Sequence, residues 1–206
     1  EDPRRVAEQL YPGGSFGNGA AMRVAPLACF YHDDLEELRR AVEGASRLTH
    51  THPLGIEGAL LQAYAVAMAV SSTGPLNGLA FVEELLSLAE SQVYRRKLTT
   101  IIGFLSRPRR PSRREVVREL GNGVEAFNSV PTAIYAFTAT SSFEEAVRMA
   151  VSFGGDMDTI GAMAGAIAGA FYGREAIPAR WLGELENRDY IERLAVRLWE
   201  VKMGLG

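Results

Sequence analysis

The 206-residue chain holds a single cysteine, Cys29. An internal disulfide is therefore excluded, and a reducing compartment is expected. Strand signals are nearly absent: runs alternating Val, Ile, Thr and aromatics between tight turns do not recur. Positive charge is not in excess, since the formal net charge is -3. That argues against a basic face for direct DNA binding and leaves any polyanionic ligand to local features. No uninterrupted apolar run reaches the roughly 18 residues of a membrane span, so no membrane partner is expected. The opening EDPRRVAEQL has no apolar leader core and no initiator methionine. An intracellular protein is expected, with cytoplasm, nucleus and mitochondrion left open, and the start on Glu1 leaves two expectations, a fragment of a longer chain or a shortened homologue.

What is present is helical periodicity. With 47% hydrophobic and 23% charged residues, the composition supports one good-sized core. Leu38, Val42 and Ala45 space an amphipathic helix over 36–47, with HDDL (32–35) as its cap. Residues 58–70 are apolar on nearly all sides and predict a central helix. One or two amphipathic helices are expected over 79–104. RPRRPSRREVVREL is a basic loop entering a helix, with Ser112 as cap and Glu115 three residues on. Helix resumes in VPTAIYAFTAT, with Pro131 expected near its first turn. Ser142 and Glu145 open another helix, and residues 189–202 close the chain with a last one. The prediction is a single all-α domain.

Chemistry concentrates in SFGGDMDTIGAMAGAIAGAFYG, residues 152–173. Asp156 and Asp158 precede a helix expected from about Thr159. Carboxylates suit a helix N-terminus, so capping is one reading. Capping needs only one acceptor, however. Two carboxylates and a hydroxyl on one short arc also form a hard-oxygen set for Mg²⁺ or Mn²⁺. Behind them Gly161, Gly165, Gly169 and Gly173, flanked by Ala162, Ala166 and Ala170, share one helix face that another backbone can approach closely. A second glycine-rich stretch, PGGSFGNGAAMRVA (12–25), is either a plain turn or a phosphate cradle. It is neither a Walker A loop nor a dinucleotide fingerprint. Phe16 and Tyr11 are candidates to stack on a purine, or else pack inward. In LTHTHPLG, His50 and His52 suit hydrogen bonding to a ligand or to backbone better than metal binding, for want of a third ligand. GNGVEAF (121–127) is a helix-to-helix turn or a second loop of the same kind.

These motifs in this order resemble the ADP-ribosylhydrolase family. The likeness is greatest to its branch that removes serine-linked ADP-ribose and degrades poly(ADP-ribose) and O-acetyl-ADP-ribose. The resemblance implies an all-α orthogonal bundle and hydrolysis at the anomeric C1″ carbon of ADP-ribose. It implies two Mg²⁺ ions, with Mn²⁺ an alternative, and Asp156, Asp158 and Thr159 as metal ligands. Met157 stands where the family has Thr or Ala. Gly14, Ser15, Phe16, Gly17 and Asn18 match the loop around the diphosphate and adenosine, and Phe16 replaces a frequent Tyr. Tyr11, His50, Gly123 and Val124 are the remaining substrate contacts. Implied partners are ADP-ribose, ADP-ribosylated proteins or poly(ADP-ribose). The family's other metal ligands, an early acidic residue and a Thr-Asp-Asp run, precede the phosphate loop and have no counterpart in this sequence. HDDL follows that loop and lacks the Thr. The chain thus resembles about the C-terminal two-thirds of the family domain, N-terminally truncated, and no catalytic acid/base is assigned. Alone it is expected to hydrolyse little, to expose apolar faces and to be of low stability or oligomeric. The alternative is a non-catalytic ADP-ribose binder. A haloacid-dehalogenase-like reading of Asp156-x-Asp158 is disfavoured, because Thr159 follows immediately and the flanks are helical.

Overall fold

A computed structural model describes residues 3–205. Its helices are α1 (Pro3–Leu10), α2 (Ala25–Tyr31), α3 (Leu35–Ser46), α4 (Pro53–Ser71), α5 (Gly78–Leu88), α6 (Gln92–Leu105), α7 (Arg113–Leu120), α8 (Ala126–Thr138), α9 (Phe143–Ser152), α10 (Met157–Tyr172), α11 (Ala179–Glu184) and α12 (Arg188–Lys202). Short 3-10 turns lie at Ala21–Arg23 and Arg174–Ala176. Among the described residues no strand forms, and one isolated antiparallel bridge joins Gly17 to Glu125. The expected all-α class is what the chain adopts.

Helix α4 sits in the middle, against α2, α3, α8 and α10. It begins five residues before the expected 58, because His52 caps it: Nδ1 accepts from the Leu54 N–H at 3.1 Å, and Pro53 opens the first turn. By length and composition this 19-residue helix is apolar enough to cross a membrane, although Glu57 and Gln62 interrupt its apolar run. Here it is the core helix, with 72% of its apolar window buried. Residues 79–104 form two helices, broken at Ala89–Ser91, where the Glu57 carboxylate accepts from the Glu90 and Ser91 N–H groups at 2.8 Å each. The caps read from sequence are in place. Asp34 accepts from Glu37 N–H at 3.0 Å, and Ser112 and Ser142 accept from Glu115 and Glu145 N–H at 3.2 Å each.

Three expectations need correction. Pro131 lies inside α8, not in its first turn. Gly121, at φ +89°, ends α7 so abruptly that the turn needs only residues 121–125; α8 then starts at Ala126 and absorbs a proline that denies a donor to the carbonyl four residues back. Helix α10 starts at Met157, two residues early. Its glycines do meet a partner: a Cβ at Gly161, Gly165 or Gly169 would lie 3.1, 3.4 or 3.7 Å from Val151, Val147 or Phe143 of α9. The alanine side is not equally covered, since Ala162 is exposed. The buried face of α10 is instead Ile160, Met163, Ala164 and Ile167, toward α4 and α8. Helix α12 forms as expected, and Ile191, Leu194 and Trp199 on it remain about half exposed, in keeping with the expected exposure of apolar faces. It is tied down by polar contacts: Lys202 to Asp33 at 2.6 Å and Arg174 to Glu192 at 2.5 Å.

Candidate functional site

Three loops far apart in sequence are sewn into one by backbone hydrogen bonds. Asn18 N–H donates to the Val124 carbonyl at 2.8 Å, and Ala126 N–H to the Phe16 carbonyl at 2.9 Å. Asp156 N–H donates to the Asn122 carbonyl at 2.8 Å. The glycine loop, the 121–125 turn and the start of α10 thereby form one layer. Two glycines permit the approach. Gly14, at φ +85°, presses on the Thr51–His52 backbone, and Gly155, at φ +63°, lies so close to Asn122 that a Cβ would run into its carbonyl.

Asp156 occupies the N-cap position of α10, yet its side chain caps no backbone N–H. Its Oδ2 instead accepts from Asn18 Nδ2 at 2.6 Å, and its Oδ1 from the Thr159 hydroxyl at 3.2 Å. The buried Asn18 also donates to Ser129 Oγ at 3.0 Å, and that hydroxyl donates to the Glu125 carbonyl at 2.9 Å. Asp156 is therefore held by side chains that aim it, and Asp158, in the first turn, is exposed. Asp156, Asp158 and Thr159 thus fall at the cap and in the first turn of α10, with Thr159 in contact with Asp156. Among the described residues no group of three His, Cys, Asp or Glu is poised to hold a metal ion.

The turn itself is braced from below. The Lys97 ammonium, buried on α6, donates to the Leu120 carbonyl and to Asn128 Oδ1, both at 2.7 Å. Thr132 Oγ1 donates to the Gly121 carbonyl at 2.6 Å. Burial, and secondarily Arg96, draws the Lys97 pKa down to about 8, while Glu119 and Glu125 pull the other way.

Tyr11, Ser15 and His50 line one pocket of about 490 Å³, together with Val6, Leu10 and Thr49. His50 Nε2 faces the glycine loop, 3.2 Å from where a Gly17 Cβ would sit, and its Nδ1 is 2.7 Å from Thr49 Oγ1. Burial, then the charge of Arg23, lowers its pKa, so the ring is neutral at pH 7. Phe16 and Tyr11 do not pack inward: they are 43% and 58% exposed. Phe16 stands away from that pocket, edge-on to His52 at 5.4 Å and tilted on Phe127 at 5.8 Å. Gly123 is half-buried, and Val124, with its side chain 63% exposed, contributes its carbonyl to the layer. Sequence reasoning missed Asn122, Ser129 and Lys97. The Gly-Asn-Gly repeat at 17–19 and 121–123 was the available signal for Asn122. Nothing local marks the other two, because they act through folded neighbours.

An all-α bundle with one aspartate of a pair, Asp156, held by a glycine-rich loop defines the class to which comparison with known proteins leads. The model of the ADP-ribosylglycohydrolase family matches residues 2–205, and the chain belongs to that family. It is 38% identical over 226 residues to the ADP-ribosylhydrolase ARH3 of Bos taurus, covering 97% of this chain and 61% of the relative. To the ARH3 of Homo sapiens it is 37% identical, with the same coverage. The chain therefore spans about three-fifths of the length of these curated relatives. A solved structure described as an ADP-ribosylglycohydrolase-related protein complex superimposes with a TM-score of 0.76 at 31% identity, over 98% of this chain and 69% of that one.

Proposed function

We propose that this chain carries the ADP-ribose-binding part, and one side of the Mg²⁺ centre, of a hydrolase that cleaves ADP-ribose linkages at C1″. The observation that carries the reading is the Asn18–Asp156 hydrogen bond, which joins two motifs 138 residues apart. A helix cap would have spent the Asp156 carboxylate on backbone N–H groups; here it is positioned beside the phosphate-loop candidate instead. The donor chemistry fits the metal. Mg²⁺ takes one or two carboxylates and keeps several waters, which Asp156, Asp158 and the Thr159 hydroxyl satisfy, with Mn²⁺ as a substitute. When bound, such ions orient hydroxyl oxygens and lower the pKa of an attacking water.

The chain's own residues do the rest. Ser15 offers its hydroxyl to the diphosphate, while Gly14, Gly17 and Asn18 donate their N–H groups to the Tyr11 carbonyl, Ser15 Oγ and the Val124 carbonyl and so fix the shape of the loop, and Gly123 and Val124 wall the cleft beside them. Phe16 and Tyr11 present exposed rings to the adenine from separate sides. Neutral His50 donates or accepts a hydrogen bond at the loop without adding charge. Asp156 and Asp158 stabilise positive charge developing on the ribose in the transition state, as carboxylates do in glycoside hydrolysis. Candidate substrates are serine-ADP-ribosylated proteins, O-acetyl-ADP-ribose and poly(ADP-ribose).

The second reading, binding without turnover, is favoured for this chain alone by the lack of a third acidic ligand among the described residues. Calorimetry with ADP-ribose, with and without Mg²⁺, is run beside a release assay on a serine-ADP-ribosylated peptide. The expected outcome is binding that weakens in Asp156→Asn, and little release. Robust release by wild type refutes the non-catalytic reading, and absence of ADP-ribose binding under both conditions refutes both.

A further inference from the structure

The basic segment of residues 107–114 plays no part in the proposed site. With the C-terminal half of α9 it borders a groove of about 340 Å³, lined by Arg110, Arg113, Tyr135, Glu145, Arg148 and Ser152 among others. Arg110 and Arg113 are exposed and make no ion pair with any described residue. Arg148 pairs with Glu144 at 2.9 Å, but that carboxylate also pairs with Arg180, so one charge serves two guanidiniums. The groove's own carboxylate, Glu145, is turned aside: it accepts from Ser141 N–H at 3.1 Å and from Ser141 Oγ at 3.0 Å.

The floor carries the second observation. Tyr135 is only 2% exposed and lines the groove, and its hydroxyl has no hydrogen-bond partner among the described residues. The ring is buried but its oxygen is not sealed from solvent, so it opens onto the groove. Burial raises its pKa, with Arg110 among the opposing charges, so at neutral pH it is a donor. An unpartnered O–H opening onto a groove that three guanidiniums also line suits an acceptor carrying negative charge. Arginine matches phosphate oxygens in geometry as well as charge.

From this geometry we infer that the groove between the 107–114 segment and α9 is a binding site for a phosphate-bearing small molecule, held by Arg110, Arg113 and Arg148 and by the Tyr135 hydroxyl. A volume of about 340 Å³ admits a phosphate or diphosphate with a small organic substituent. The groove shares no lining residue with the pocket at Ser15 and His50. It does lie directly behind the aspartate loop: Ser152 and Phe153 line it and run straight into Gly154–Asp156.

Inorganic phosphate and pyrophosphate are titrated by calorimetry into wild type, Tyr135→Phe, the double variant Arg110→Ser/Arg113→Ser, and Ser15→Ala. Tyr135→Phe and Ser15→Ala each remove one oxygen and keep the packing, and the arginine pair is on the surface, so all fold. Loss of one charge-assisted hydrogen bond predicts about tenfold weaker pyrophosphate binding in Tyr135→Phe, and a larger loss in the arginine pair. ADP-ribose binding is unchanged in both, and pyrophosphate still binds Ser15→Ala. The inference is overturned if wild type binds neither anion, if the groove variants bind like wild type, or if only Ser15→Ala loses binding, which would assign the anion to the glycine loop.

Discussion

Replacing Asn18 by Ala tests the joint on which the candidate site depends. The side chain is buried, and its amide donates to Asp156 Oδ2 at 2.6 Å and to Ser129 Oγ at 3.0 Å. Ser129 keeps its own bond to the Glu125 carbonyl, so it is not orphaned. Asp156 keeps Thr159 but loses its shorter contact. A hydrogen bond to a charged group contributes about 1.5–3 kcal/mol, and half-buried Asp156 regains some water, so the loss sits near about 2 kcal/mol. For a chain of this size that is a fall in Tm of roughly 4–8 °C. Asn18→Asp is the sharper variant. It sets a second carboxylate beside Asp156, which raises the folded-state pKa of the pair above the unfolded value. The repulsion is then fully present above that folded pKa and is relieved as pH falls through it toward the unfolded value. Thermal unfolding at neutral and mildly acidic pH therefore separates the two variants: Asn18→Asp recovers on acidification relative to Asn18→Ala. If Asn18→Ala melts within about 1 °C of wild type, or Asn18→Asp shows no acid recovery, Asn18 is not coupled to Asp156 and the joint is an accident of packing.

Two further outcomes follow from the same geometry. The Lys97 pKa of about 8 lies below the ordinary 10.5, so the unfolded chain binds the extra proton between those values and stability rises with pH across them; denaturant unfolding of wild type shows that rise, and Lys97→Met lacks it. Gly169→Ala gains up to about 1 kcal/mol in helix propensity because its Cβ has room, 3.7 Å from Phe143. Gly161→Ala meets Val151 at 3.1 Å and melts below it, and equal melting temperatures would show that the α9–α10 contact is not tight.

Periodicity by itself determined the all-α class and most helices, because a 3.6-residue repeat is a local signal. The caps at Asp34, Ser112 and Ser142 were equally local, each needing only an acceptor and the N–H three residues ahead. Helix starts at Pro53, Ala126 and Met157 were less legible. They depend on a histidine acting as a cap, on how short a glycine turn can be, and on where a loop is stitched to a neighbour.

The motifs of the candidate site were likewise in the sequence, but not their relation. Asp156 and Asp158 read equally as a cap or as ligands until Asn18 was found holding Asp156, a contact across 138 residues that no spacing encodes. Tyr11 and Phe16 looked like one clamp; the fold sets one in the pocket with His50 and the other against His52 and Phe127. The Tyr135 hydroxyl and the arginines around it come together only when α7, α8 and α9 pack. Residue types and local turns were the sequence's to specify. Which of them share a hydrogen bond was decided by the closure of long loops, where the partner is chosen by the packed helices and not by the neighbours in the chain.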